Sequence, residues 1–251
     1  MSATAVLSVR DLTLAYDGRV IQQGLDFDIP RGSIFVIMGG SGCGKSTLLR
    51  HLIGLQQPAG GRVLYGGDTD FWAASPGEQD NLKRRFGVLF QAGALWSSLT
   101  LAENVALPLE EFTDLPATAI REIVAIKLAL VGLSGFENHY PAEISGGMKK
   151  RAGLARAMAL DPEILFCDEP SAGLDPLSAR RLDELLLELR ARLGTTIVLV
   201  THELASIFAV ATDSIFLDAE SRTMIASGNP HHLAQHGPAL VRNFLARGEE
   251  P

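Results

Sequence analysis

Short apolar runs open the chain. Residues 6–9, 12–15 and 25–29 read as short strands broken by turn residues, an antiparallel layer at the start. Residues 34–38 are continuously apolar, the pattern of a parallel strand buried on both faces. They lead straight into a glycine-rich loop and a helix beginning near Lys45. Residues 87–90 form another strand candidate. From about 93 to 144 the pattern turns helical, punctuated by Pro108, Pro116 and Pro141, with 119–131 as its longest helical run. Strand–helix alternation resumes at 164–167. Asp175 suits a helix N-cap and Pro176 the first helical position. Leu182, Leu185, Leu186 and Leu189 then mark one helical face, and 197–200 is the next buried strand. The pattern predicts a single α/β domain over residues 1–251, with a mostly parallel core sheet, an N-terminal antiparallel β layer and a helical subdomain inserted at about 93–144.

Composition narrows the class. The 251 residues suffice for one packed α/β domain. A net charge of −7 lacks the basic footprint of a nucleic-acid binder, so no nucleic-acid partner is expected. Every apolar run is strand-sized, far short of the roughly 20 residues of a membrane helix. Residues 1–10 lack the pattern of a signal peptide. Cys43 and Cys167 stand in no metal-ligand spacing, which makes the cytosol the default compartment. His231, His232 and His236 lie in a polar stretch flanked by Gly and Pro and read as loop histidines, not metal ligands.

The glycine-rich loop carries the first chemistry. Gly39, Gly40, Ser41, Gly42, Cys43, Gly44, Lys45 and Ser46 fit G-x-x-x-x-G-K-[ST], between a predicted strand and a predicted helix that continues with Thr47. Glycines let successive N–H groups turn inward onto phosphate, and the helix N-terminus adds a favourable dipole. Lys45 is placed to reach the β- and γ-phosphates, and the Ser46 hydroxyl to ligate Mg²⁺. A second apolar strand ends in Asp168-Glu169. Asp168 can hold the same Mg²⁺, and Glu169 can orient and deprotonate an attacking water.

Ile144-Ser145-Gly146-Gly147-Met148 resembles the signature of ABC ATPases, usually L-S-G-G-Q, and the resemblance runs through Asp168-Glu169-Pro170 to Asp175. It covers essentially the whole chain and implies the P-loop ABC ATPase fold, with ATP and Mg²⁺ as cofactors. Independently of the family, Ser145 is an N-cap followed by two glycines, a second helix N-terminus suited to phosphate. The resemblance implies that this element closes on the nucleotide held by a second copy, in a head-to-tail dimer with two sandwiched ATPs. It further implies adenine stacking by Tyr16, although a strand-packing tyrosine is the alternative. Gln91 takes the role of Mg²⁺ sensor, Asp175 that of an aspartate acting across the dimer, and His202 that of a switch histidine. Catalysis then rests on Glu169, His202, Gln91 and Lys45.

Met148, in place of the usual glutamine, and the segment from Gly87 through Gln91 to Pro108 resemble the ATPases of Mla/Mce lipid transporters. This implies transmembrane permease subunits, a periplasmic MCE-domain protein and a small STAS-domain protein as partners, at the cytoplasmic face of the bacterial inner membrane. The bland reading of Met148 is drift, and that of Lys149-Lys150-Arg151 a solvated helix face. Ala92, Ala94, Leu95, Trp96 and Leu99 either line a groove for a permease helix or belong to the core. Other readings are an importer of small polar solutes, a DNA- or ribosome-acting ABC protein, or a catalytically dead module. The last is opposed by Lys45, Asp168, Glu169 and His202, all present.

Overall fold

The computed structural model describes residues 4–246; residues 1–3 and 247–251 of the predicted 1–251 domain, including the start of the stretch read for a signal peptide, lie outside the described residues. Two sheets carry the fold. The first is antiparallel, with order β2-β1-β4-β5. It is built from β1 (Ala5–Tyr16), β2 (Arg19–Pro30), β4 (Gly60–Tyr65) and β5 (Thr69–Asp70). The second, of six strands, has β3 (Ile34–Gly39), β6 (Phe86–Leu89), β7 (Ile164–Asp168), β8 (Thr196–Val200), β9 (Asp213–Asp218) and β10 (Thr223–Ser227). Its order is β10-β9-β3-β8-β7-β6, parallel except for β10.

The fully apolar β3 is explained by its two faces. Phe35 and Ile37 pack into a cluster shared with the antiparallel layer and helix α1 (Lys45–Leu52). Ile34, Val36 and Met38 point into the opposite cluster. That second cluster is built with α3 (Leu101–Phe112), α4 (Ala117–Leu130), α5 (Gly146–Ala157) and α6 (Pro176–Leu193). Alternate side chains of one strand thus feed two cores, so no polar position is tolerated. Leu182, Leu185, Leu186 and Leu189 are buried on α6 as expected.

Some expectations need correction. The two strands at 6–9 and 12–15 are one strand, β1. The turn expected between them is a bulge at Asp11, where φ is 47° and the register with β2 shifts. Pro108 does not break α3; the helix runs through it to Phe112, starting from a Thr100–Glu103 capping box. The histidines at 231, 232 and 236 sit on helix α8 (Pro230–His236), not in a loop. The side chain of Asn229 caps that helix and Pro230 takes its first position, the same start signal that was read at Asp175-Pro176. The chain also has α2 (Pro76–Lys83), α7 (Leu204–Val210) and α9 (Ala239–Ala246). No helix of the described residues is long and apolar enough to cross a membrane.

Strand β6 crosses α5 at Gly87. A Cβ there would lie 2.3 Å from the Ala157 carbonyl oxygen and 3.0 Å from Cγ of Pro162. Backbone cannot yield cheaply, so Gly87→Ala is expected to lower unfolding free energy by about 1–3 kcal/mol. Urea unfolding followed by circular dichroism checks this, and an unchanged midpoint contradicts it.

Candidate active site

The parallel strands β3, β8 and β7 end along one sheet edge, and the loops leaving them build the site. After β3 the backbone turns back at once. Gly39 has φ 146°, and a Cβ on it would lie 2.4 Å from the Leu217 carbonyl oxygen and 2.6 Å from Cys43 Sγ. Gly44 caps α1 in the left-handed region at φ 99°, with Ile21 2.8 Å from a would-be Cβ. Glycine is required at both positions by geometry. The loop ends in Lys45, buried, whose ammonium donates to the carbonyls of Gly39 and Gly40, each at 2.9 Å. A cation thus sits against the backbone of the loop's first two residues.

Next to it, the Ser46 hydroxyl donates to Asp168 Oδ1 at 2.9 Å. Burial pushes the Asp168 carboxyl above its ordinary range; the Ser46 bond opposes this, and the neighbouring Glu169 charge adds to it. Two oxygen donors side by side form a hard-cation donor pair that leaves further positions for water and phosphate, which suits Mg²⁺. Glu169 follows with φ 45°, left-handed for a residue with a Cβ. Its Oε1 lies 3.1 Å from His202 Nδ1, and its Oε2 accepts from Gln91 Nε2 at 3.4 Å. A neutral imidazole has one N–H. If Nδ1–H serves Glu169, Nε2 has no proton to donate, so a hydrogen bond from His202 to a phosphate needs a change of tautomer or rotamer.

Lys45, Ser46, Glu169 and His202 border a cleft of about 1060 Å³, together with Tyr16, Gly39 to Gly42, Gly44 and Thr47; Asp168 and Gln91 stand behind Ser46 and Glu169 and do not line it. Tyr16 is 63% exposed and lines the cleft, so its ring is not buried in strand packing. Cys43 is buried behind the loop. Burial raises the thiols of both Cys43 and Cys167, leaving them in the unreactive form.

The second predicted group lies elsewhere. Ser145, Gly146, Gly147, Met148 and Asp175 do not border the cleft. Ser145 is exposed and caps α5, accepting from Met148 N at 3.2 Å. Asp175 is exposed and caps α6, accepting from the N–H groups of Leu177 and Ser178. Hydrogen bonding from Ser178 holds its carboxyl below the usual range.

The basic run 149–151 is not a solvated face. Lys150 is buried, and Arg151 donates to the carbonyls of Val131 and Gly132. Helix α5 packs against α3, α4 and α6, so its flanks are covered. Trp96, 63% exposed, is not core; only Leu95 of that segment packs against the interior cluster. Sequence reasoning missed Gln22, Arg19, Arg222 and Phe244. The last three border the cleft. The buried Gln22 amide donates to the carbonyls of Cys43 at 2.7 Å and Asp218 at 2.9 Å. Arg222 and Phe244 arrive from strand and helix ends some two hundred residues away, and no local pattern marks them.

Residues 22–172 match the model of a protein family described as ABC transporter. The chain belongs to the ABC transporter family. This ABC ATPase is similar, at 46% identity over 98% of its length, to a protein of Mycobacterium leprae named probable ribonucleotide transport ATP-binding protein mkl. It spans 70% of that relative, and 66% of a like-named one from Mycobacterium tuberculosis. It is 39% identical, over 97% of its length and 91% of the relative's, to a protein of Haemophilus influenzae named intermembrane phospholipid transport system ATP-binding protein MlaF. Among solved structures it resembles cbiO1 from Clostridium perfringens, part of an ABC transporter complex, with a TM-score of 0.84 at 29% identity over 97% of this chain and 95% of that one. It also resembles the ATP-binding cassette MJ0796, a dimer in a post-hydrolysis state bound to ADP and Pi. There the TM-score is 0.77 at 27% identity, over 88% of this chain and 97% of that one. The α/β fold expected for an ABC ATPase is thus confirmed.

Burial of the ionised Asp168 works against the folded state. Because its folded pKa lies above the unfolded one, this cost is present at neutral pH and fades as pH falls through the raised value. Asp168→Asn keeps an oxygen for Ser46 without the charge. Its melting temperature at pH 7, without nucleotide or divalent cation, is expected to equal or exceed wild type. Scanning fluorimetry checks this, and a marked drop contradicts it.

Proposed function

We propose that the cleft binds Mg²⁺-ATP and that hydrolysis is completed only when Ser145 and the start of α5 from a second copy cover it. One observation carries this reading: the chain builds two phosphate-suited helix N-termini, and only that of α1 lies in its own cleft. The other, capped by Ser145, is exposed. The dimeric MJ0796 cassette supports the same arrangement.

The residues divide the work. Tyr16 offers its exposed ring to adenine. Backbone N–H groups of 39–47 cradle the phosphates, and Lys45 exchanges its carbonyl partners for β- and γ-phosphate oxygens. Ser46, Asp168 and Gln91 would hold the Mg²⁺. When bound, the cation neutralises charge developing on the transferred phosphoryl group. Glu169 orients the attacking water and takes its proton, steadied by His202 and Gln91. Ser145, Gly146, Gly147, Met148 and Asp175 act on the partner's nucleotide. The domain spans the chain, with 93–144 as a helical insertion.

The cargo proposed is phospholipid. Support comes from relatives named for intermembrane phospholipid transport in Haemophilus influenzae and Escherichia coli, matched over 91% and 90% of their length. On this reading the chain works beneath permease subunits at the cytoplasmic face of the inner membrane. A periplasmic MCE-domain protein and a STAS-domain protein complete the assembly, and exposed Trp96 serves the permease contact. A second reading, ribonucleotide transport, is favoured by the 46% identity to the mycobacterial proteins of that name.

Two experiments test the proposal. Glu169→Gln should lower ATP turnover at least a hundredfold and leave an ATP-bound dimer stable on size-exclusion chromatography. Turnover near wild type sinks the general-base assignment, and a monomer in ATP sinks the paired site. Mass spectrometry of the detergent-purified transporter complex should find phospholipid bound. Ribonucleotide bound outside the ATPase site, with no phospholipid, favours the second reading.

A further inference from the structure

Lys150 is a buried ammonium, 7% exposed, in the middle of helix α5. Burying a cation is costly without partners, so its placement calls for a reason. Among the described residues its ammonium forms no ion pair; its hydrogen bond is to the Glu169 carbonyl oxygen, at 3.4 Å. The carboxylates of Glu203 and Glu169 act on it electrostatically. The backbone it touches is itself unusual. Glu169 is held at φ 45°, with its N–H on the Val200 carbonyl at 2.8 Å and its own carbonyl also accepting from Ala172 N at 3.2 Å. A residue with a Cβ stays in that region only where surrounding contacts over-determine it.

The same helix is fastened at two more places. Its first turn is capped by Ser145. Near its end Arg156 donates to the carbonyls of Ala94 at 2.7 Å and Gly93 at 3.2 Å, just beyond Gln91. Gly153 lies so close that a Cβ would stand 2.8 Å from the Gly93 carbonyl oxygen. One rigid helix therefore touches the backbone of Glu169, the loop of Gln91 and the surface element offered to a partner.

We infer that Lys150 is a positioning residue for ATP hydrolysis, tying the backbone of Glu169 to helix α5. Seating of the Ser145 end on a partner's nucleotide is thereby felt at this chain's own Glu169. This rests on the proposed roles of Glu169 and Ser145.

The test uses the full-length chain with Mg²⁺-ATP. Lys150→Met fills the same space without charge. Its kcat should fall about tenfold or more, because misplacing a catalytic group by even 1 Å is costly. Its KM for ATP should stay within about twofold, and its melting temperature should not drop. Lys150→Arg, which restores a cation, should recover part of the rate. In a Glu169→Gln background, Lys150→Met should leave the residual single-turnover rate unchanged. Unchanged kcat in Lys150→Met overturns this inference alone, provided Glu169→Gln shows its expected loss of turnover. So does a loss that persists in the Glu169→Gln background, or one that tracks lost nucleotide binding or stability and is not recovered by Lys150→Arg. Wild-type turnover in Glu169→Gln overturns both this inference and the function it rests on.

Discussion

The parallel register of β3, β8 and β7 is the constraint on which the site depends. Ile37 pairs with Val200, and Val200 with Asp168, so three chain segments far apart in sequence reach the same edge together. From that edge the glycine loop, the carboxylate pair and His202 all start. The Ser46–Asp168 hydrogen bond joins residues 122 positions apart only because this register is fixed. The register is in turn fixed by burial, since a slip of one residue would exchange the two core-facing sets of β3. Packing and chemistry share one cause.

What could be read from the chain follows from how local each signal is. The glycine loop, the Asp168-Glu169 strand end and the Ser145 cap are contiguous, and the structure keeps each as a local unit. The bulge at Asp11 was hidden because its partner is distant. Gly61, at φ 81°, leaves no room for a Cβ against the Asp11 backbone, a pairing across strands that no short window contains. Lys150 looked solvated because a basic run on a helix usually is, and only the packing of α5 against three other helices buries it. Helix α8 was different. Its start signal, Asn229-Pro230, is local, and the polar stretch that follows carries too few apolar positions to show a helical face.

The distribution of charge also makes sense at the level of the whole molecule. The chain carries a net charge of −7, yet its cleft is bordered by Lys45, Arg19 and Arg222. Three cations against the one carboxylate of Glu169 in the lining favour anions in the cleft of a chain that is acidic overall.

Gln22 links two parts of the fold from within a buried site. It belongs to the antiparallel layer, whose β1 ends at Tyr16, but its amide grips the phosphate loop at Cys43 and the β9–β10 hairpin at Asp218. The neighbouring Gln23 N–H holds the same hairpin at the Arg222 carbonyl. The layer, the hairpin and the loop are therefore held to one another by directed hydrogen bonds as well as by packing. Tyr16 on the layer and Lys45 after the loop border the same cleft from parts of the fold that are fixed together, so the spacing between those two ends of the cleft is set before anything enters it.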